Sequence, residues 1–144
     1  MNFKVKHAMT NRVVTVRDSA MVDEVFELLL RHRISGMPVV NDDEHIVGVI
    51  TERDLLNLLY NPETEQGQVS DYMTPNALTV EEDGLLIDAV ELFLSRNVRR
   101  IPVVRDRKVV GVISRHDLVR YIREVRQRVR FEMEARRQPS EALV

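Results

Sequence analysis

Two heptapeptides in this chain, GVITERD at residues 48–54 and GVISRHD at residues 111–117, are nearly identical and begin 63 positions apart. Each places a hydroxyl residue, two variable positions and an aspartate directly after a short apolar run. The match extends outward: the dipeptide Met-Thr occurs at 9–10 and 73–74, and the tripeptide Pro-Val-Val at 38–40 and 102–104. Two copies are too few for a solenoid, so the sequence predicts a pair of pseudo-symmetric repeats.

Each copy predicts the element order β-α-β-β-α, which is an α/β (α+β) fold. Short strands, VVTV and ALTV, precede helices whose apolar residues recur every three or four positions over residues 20–32 and 84–96. Ser19 and Asp83 stand where the N-caps of these helices are expected. Polar turns then join two short strands as a hairpin, and a second helix follows from Thr51 or Ser114. We assign residues 1–62 to repeat 1, 63–68 to a linker, 69–125 to repeat 2, and 126–144 to a C-terminal helix extension and tail.

The amino-acid composition limits which classes of protein this chain can belong to. The chain has 144 residues, of which 44% are hydrophobic and 31% charged, and this is typical of one compact globular domain. With 21 basic and 23 acidic residues, the net charge is close to zero, so the chain has no overall positive potential that would attract nucleic acid or a membrane. The absence of cysteine excludes disulfides and thiolate zinc sites. We therefore expect a cytoplasmic protein with no membrane association.

The last predicted helix is much longer than its counterpart in repeat 1, running from residue 116 to about 137. Leu118, Ile122, Val125 and Val129 form an apolar seam that either a neighbouring subunit or the start of the chain would cover. The same helix is rich in arginine, which raises nucleic-acid binding as an alternative function. Interspersed glutamates and the seam favour a solvated, salt-bridged face instead.

The two heptapeptide corners allow two compatible interpretations. In the structural one, Thr51 and Ser114 cap the helices, and Asp54 and Asp117 reach back as in a capping box. In the functional one, the helix N-terminus binds an anion, the hydroxyl donates to a phosphate, and the aspartate accepts two hydrogen bonds from a ribose diol. Apolar strands nearby would then enclose a base. The residues alone leave both interpretations open.

Catalysis and metal binding have little support in the sequence. The tetrapeptide SRHD at 114–117 contains the residue types of a hydrolytic triad, but four consecutive residues cannot form the required chain of hydrogen bonds. The four histidines show no spacing typical of metal ligands. We expect no enzyme activity and no required cofactor, and Mg²⁺ would arrive only with the phosphates of a nucleotide.

The repeats resemble the cystathionine β-synthase (CBS) domain family, and the chain resembles a stand-alone tandem CBS pair. The similarity rests on HAMT and DYMT at the repeat starts, HRISGMPVVND and NVRRIPVVRD in the middle, and the two heptapeptides, and it covers roughly residues 3–125. The resemblance implies two repeats packed through their sheets, with the helices outside and two clefts between the repeats. Members of the family commonly bind AMP, ADP, ATP, S-adenosylmethionine or NAD there.

The resemblance also implies which residues line each cleft. The preferred cleft would contain Thr10, Val13, Ile34, Ser35, Gly36, Arg100, Ser114, His116 and Asp117. The other would contain Thr51, Arg53, Asp54, Thr74, Ala77, Val98 and Arg99. The preference rests on Arg100, whose guanidinium suits phosphate, and on Arg99, which is bulky enough to narrow the other cleft.

The expected function is therefore that of a regulatory module that senses an adenine nucleotide or another adenosyl ligand. The resemblance implies a disc-like homodimer that forms through the helical surfaces, and the regulated partner would be a separate protein of unknown identity. The alternative is a dimerisation scaffold whose clefts are vestigial.

Overall fold

The computed structural model describes residues 3–63 and 67–137 and contains two halves whose elements follow nearly the same order. The first half comprises α1 (Val5–Ala8), β1 (Val16–Arg17), α2 (Val22–His32), β2 (Gly36–Val40), β3 (Ile46–Thr51), α3 (Glu52–Leu55) and a 3-10 turn (Leu56–Tyr60). The second half comprises α4 (Val69–Tyr72), β4 (Thr74–Pro75), β5 (Val80–Glu81), α5 (Leu86–Ser95), β6 (Arg100–Arg105), β7 (Lys108–Ser114) and α6 (Arg115–Arg137). The predicted α/β fold with two pseudo-symmetric repeats is confirmed. Residues 1–2, 64–66 and 138–144, which belong to predicted repeat 1, the linker and the tail, lie outside the described residues.

The strands form two small sheets. One has the order β1-β2-β3-β4 and the other the order β5-β6-β7. In each, the short first strand runs parallel to the second, which forms an antiparallel hairpin with the third. At the turn between β6 and β7, Asp106 and Arg107 both have positive φ, at 51° and 66°. A two-residue turn of this kind matches the twist of the strands that it joins.

The beginning of each repeat packs against the other repeat. Thr74 pairs with Val49 on β3, and its counterpart Thr10 pairs with Val112 on β7. Val5 of α1 is buried in the core of the second half, whereas Val69 of α4 is buried in the core of the first. Neither core is therefore complete without the segment that begins the other repeat.

This exchange explains the glycine that opens each heptapeptide. A Cβ on Gly48 would lie 2.6 Å from the carbonyl oxygen of Thr74, and one on Gly111 would lie 2.9 Å from that of Thr10. Real Cβ atoms essentially never approach backbone this closely. Glycine is needed at both positions because the other repeat's chain crosses directly over the strand.

The predicted N-caps Ser19 and Asp83 are wrong. The N-cap residues of α2 and α5 are Met21 and Leu85, and neither makes a side-chain capping bond. Instead, the amide of Val22 donates to the carbonyl of Gly67 at 2.9 Å, and the amide of Leu86 donates to that of Phe3 at 2.8 Å. The segment exchanged from the other repeat supplies these acceptors from its backbone, so no capping side chain is required.

The long helix α6 runs from Arg115 to Arg137, the last residue that the structure describes. Leu118 is buried with Val5 in the second core, and Val125 packs against that core. Phe3 adds an edge-to-face contact with Tyr121, with ring centroids 5.6 Å apart. The start of the chain therefore covers the first part of the predicted seam, while Ile122 and Val129 remain exposed. No helix among the described residues is long and apolar enough to cross a membrane.

Candidate functional site

The first corner, where β3 meets α3, is built around Asp54. Its Oδ2 accepts hydrogen bonds from the amide of Thr51 at 2.9 Å and from the Thr51 hydroxyl at 3.2 Å. Its Oδ1 accepts one from the hydroxyl of Thr74, on the other repeat, at 3.2 Å. Asp54 thus forms the predicted capping box and also fastens the two repeats together.

The second corner, where β7 meets α6, repeats these contacts around Asp117. Its Oδ2 accepts from the amide of Ser114 at 2.9 Å, and the amide of Asp117 donates to the Ser114 hydroxyl at 3.1 Å. Its Oδ1 accepts from the hydroxyl of Thr10 at 3.0 Å. The capping interpretation of both heptapeptides is therefore confirmed, although aspartate is a methylene shorter than the usual glutamate.

The two corners differ in burial and charge. Asp117 is only 5% exposed, and its Oδ1 also accepts a hydrogen bond from the Arg120 guanidinium at 2.7 Å. Asp54 is half-buried. Within the part of the chain that the structure describes, Asp54 has no cationic partner within 4.0 Å. The position equivalent to Arg120 in the first repeat is Asn57, which is exposed on the 3-10 turn.

A cavity of about 630 Å³ lies between the repeats. Several of its walls come from equivalent positions in the two halves, such as Ile34 with Val98 and Pro38 with Pro102. The cavity therefore lies close to the pseudo-twofold axis that relates the two repeats. The corner that it reaches, however, is only the first, through Thr51 and its neighbours.

The cavity draws predicted residues from both clefts rather than from one. Those that line it are Val13, Ile34, Ser35, Gly36 and Arg100 of the preferred set, and Thr51, Arg53, Val98 and Arg99 of the other. Those absent from its lining are Thr10, Ser114, His116 and Asp117 of the preferred set, and Asp54, Thr74 and Ala77 of the other. Hydrogen bonds nevertheless bring Thr10 and Ser114 to Asp117, and Thr51 and Thr74 to Asp54. His116 is exposed and Ala77 is half-buried.

Four arginines give the cavity an excess of positive charge. Arg12, Arg53, Arg99 and Arg100 line it together with a single acidic residue, Glu52. Among residues 3–63 and 67–137, none of the four forms an ion pair within 4.0 Å. Exposed guanidinium groups without acidic partners beside apolar strand residues suit an anion that carries an apolar or aromatic body.

The sequence interpretation missed two arginines. Arg12 lies beside Val13 in the chain, but only the fold shows that it faces the same cavity as Arg53. Arg120 was detectable in principle, because an acid and a base three positions apart on a helix are neighbours.

The chain belongs to the CBS domain family, whose sequence model matches residues 5–61 and 69–124. Its fold is that of a CBS pair. It is 35% identical to CBSX2 of Arabidopsis thaliana in a crystal structure with AMP, with a TM-score of 0.77 over 86% of this chain and 98% of that one. It is 28% identical to the CBS domain pair of MJ0100 in complex with 5′-methylthioadenosine and S-adenosyl-L-methionine, with a TM-score of 0.69 over 85% and 97%.

Among curated proteins, the chain is 30% identical over 122 residues to MJ1225 of Methanocaldococcus jannaschii. That match covers 85% of this chain but only 44% of MJ1225. The chain thus spans less than half the length of this relative.

Proposed function

We propose that this chain is a regulatory module, rather than an enzyme, that binds an adenine nucleotide between its two CBS repeats. The observation that carries the proposal is the cavity lined by apolar strand residues and by four arginines that form no ion pair with any residue the structure describes. The complexes of CBSX2 with AMP and of MJ0100 with two adenosyl compounds support an adenosyl ligand as the class.

The lining suggests how the parts of a nucleotide would be held. Apolar side chains such as Ile34 and Val98 would enclose the adenine base, because they present hydrophobic surface from both repeats. Arg53, Arg99 and Arg100 would bind phosphate oxygens through paired N–H donors. The carboxylate of a heptapeptide corner would accept hydrogen bonds from the ribose diol, for which it has lone pairs beyond those used in capping.

Binding would regulate by favouring one arrangement of the repeats or of two subunits over another. Helices on the outside of both repeats carry exposed leucines, including Leu30 at 78%, Leu59 at 84% and Leu94 at 82% exposure. A surface that exposes several large apolar side chains suits an interaction site. We infer that it serves a homodimer, and that the dimer relays ligand occupancy to a separate regulated protein.

Thermal denaturation of the purified chain tests the proposal. The panel comprises AMP, ADP, ATP, NAD and S-adenosylmethionine, with GMP and free ribose 5-phosphate as controls. A ligand present at a hundred times its dissociation constant stabilises the native state by about 2.7 kcal/mol, which raises the midpoint by several degrees. We expect this shift with at least one adenine nucleotide and a much smaller one with the controls.

The same experiment addresses the scaffold alternative. Both aspartates already satisfy helix caps, so the corners have a structural role without any ligand. If no adenosyl compound shifts the midpoint, the ligand-sensing proposal is rejected and the chain is a scaffold.

A further inference from the structure

The two corners match in their capping and inter-repeat bonds but differ three positions after the aspartate. Repeat 2 has Arg120 there and repeat 1 has Asn57. The Arg120 guanidinium lies 2.7 Å from Asp117 Oδ1, where it makes the one ion pair within the described part of either corner. The difference is one of charge, because Arg120 pairs with Asp117, whereas no cationic side chain in the described ranges lies within 4.0 Å of Asp54.

The contacts at Asp117 leave little room for a ligand. Oδ1 already accepts from both Arg120 and Thr10, and Oδ2 accepts from the amide of Ser114. The residue is almost wholly buried, and the cavity between the repeats does not reach this corner. A ribose diol that bound Oδ1 would have to displace the Thr10 hydroxyl or the Arg120 guanidinium, and the guanidinium makes a charge-assisted hydrogen bond, which is roughly twice as strong as a neutral one.

The contacts at Asp54 differ in charge and in burial, although Asp54 also accepts three hydrogen bonds and does not itself line the cavity. Its donors are the amide and hydroxyl of Thr51 and the hydroxyl of Thr74, all of them neutral. The residue is half-buried, and Thr51 and Arg53 beside it line the cavity. A diol here would replace at most a 3.2 Å hydroxyl contact and would meet an uncompensated carboxylate.

We propose that Arg120 closes the second corner from within the chain, so that each chain binds one nucleotide and binds it at the Asp54 corner. This inference rests on the proposed function and reverses the preference for the Asp117 cleft expected from the sequence. The Arg120 side chain is 49% exposed, so it can be removed without opening a void in the core.

Isothermal titration of the purified chain with AMP tests the inference through the number of sites. We expect one site per chain in the wild type. Arg120→Asn gives the second corner the residue found in the first and is expected to raise the number to two. The reciprocal change, Asn57→Arg, places a guanidinium three positions after Asp54 in a turn where such residues share one face. It is expected to abolish saturable binding.

Arg123→Asn is the matched control, since it removes the same charge from an exposed position one turn further along α6. It should leave the number of sites at one. Asp54→Ala should lower AMP affinity at least tenfold in the wild type and should leave one site in the Arg120→Asn background. Should Arg120→Asn fail to fold, the wild-type stoichiometry and Asp54→Ala still decide the matter.

The outcomes separate this inference from the proposed function. Two equivalent sites in the wild type, or weaker binding with an unchanged site number in Arg120→Asn, would overturn the inference while leaving nucleotide binding intact. In the second case Arg120 contacts the ligand instead of excluding it. If neither AMP nor any other adenosyl compound binds the wild type, the proposed function itself fails.

Discussion

The two heptapeptide corners are copies in sequence but not in chemistry. At the first, Asp54 accepts neutral hydrogen bonds and lies next to an arginine-lined cavity. At the second, Asp117 makes equivalent capping and inter-repeat bonds but is buried and neutralised by Arg120. If Arg120 closes the second corner as proposed, then capping a helix and offering a carboxylate to a ligand are separable roles, because the Arg120 contact leaves the capping bonds of Asp117 in place.

What the corners share is imposed by the exchange of segments between the repeats. The threonine that begins each repeat donates to the aspartate at the end of the other, and its backbone crosses the glycine that opens the heptapeptide. The glycine, the hydroxyl residue and the aspartate are thus all explained without a ligand. The repeated heptapeptide is therefore evidence mainly for the exchange of segments between the repeats. It supports nucleotide binding only at a corner whose aspartate is accessible to a ligand.

The largest expected effect tests this shared architecture. Gly48→Ala and Gly111→Ala should each destabilise the chain by about 1–3 kcal/mol, because the new methyl group meets backbone at 2.6 and 2.9 Å. Gly48→Ala should cost more, since its methyl group would meet the opposing carbonyl oxygen at the shorter distance. Urea denaturation measures both values.

Gly84→Ala is the control for these substitutions. Its nearest backbone atom is the carbonyl oxygen of Glu81 at 3.1 Å, so a smaller loss of stability is expected. Losses below about 0.5 kcal/mol at both Gly48 and Gly111, within the range of ordinary surface changes, would contradict the close approach of the exchanged segments.

Most of the fold was predictable because it follows from local patterns. The apolar periods of α2 and α5, the hairpins and the Asp54 and Asp117 caps all depend on residues within a few positions of one another. The N-caps at Ser19 and Asp83 were wrong for the opposite reason. The acceptors for α2 and α5 are the carbonyls of Gly67 and Phe3, which only tertiary structure brings to the helix ends.

The candidate site was predictable only in part. Side chains such as Arg53 and Arg100 were identified from the family resemblance, and they do line the cavity. Which corner the cavity reaches depends on the packing of both repeats, and no spacing along the chain encodes that. Arg120 was predictable in one respect only. Its spacing of three residues from Asp117 can be seen in the sequence, whereas the burial of Asp117 can be seen only in the structure.

A second effect, of intermediate size, is on AMP affinity and concerns Arg99, a charged residue of the cavity that has no charged equivalent in the first repeat. The first repeat has Ser35 where the second has Arg99. Arg99→Ser should therefore weaken AMP binding by about tenfold, or roughly 1.4 kcal/mol, which is the size expected for losing one charge-assisted hydrogen bond at an exposed site. Adenosine should bind with unchanged affinity, because it lacks the phosphate.

Calorimetric titration of both ligands measures this difference, and Arg107→Ser, at a turn outside the cavity, serves as the charge-matched control. An equal loss of AMP and adenosine affinity would mean that Arg99 acts by packing against the nucleoside and not on the phosphate. Added salt should weaken AMP binding in the wild type more than in Arg99→Ser.

The smallest expected effect lies at an exposed ion pair that only one half of the molecule has. Lys6 Nζ lies 2.9 Å from Asp83 Oδ1, whereas the equivalent positions in the other half are Ser70 and Ser19. The hydrogen bond and charge of Lys6 lower the pKa of Asp83 below its ordinary value of 3.8. The pair raises the pKa of Lys6 above its ordinary value of 10.5 for the same reasons.

The Asp83 contribution to stability is therefore fully present above pH 3.8 and is lost as the pH falls through the lower pKa of the folded state. The Lys6 contribution is fully present below pH 10.5 and is lost as the pH rises through the higher pKa of the folded state. Asp83→Ser, which copies the first repeat, should lower the urea midpoint slightly near pH 7 and leave it unchanged at a pH where the carboxylate is protonated. Because both side chains are exposed, 0.5 M salt should remove most of the difference. A difference that persisted at high salt and at low pH would show that Asp83 stabilises the chain through something other than its charge.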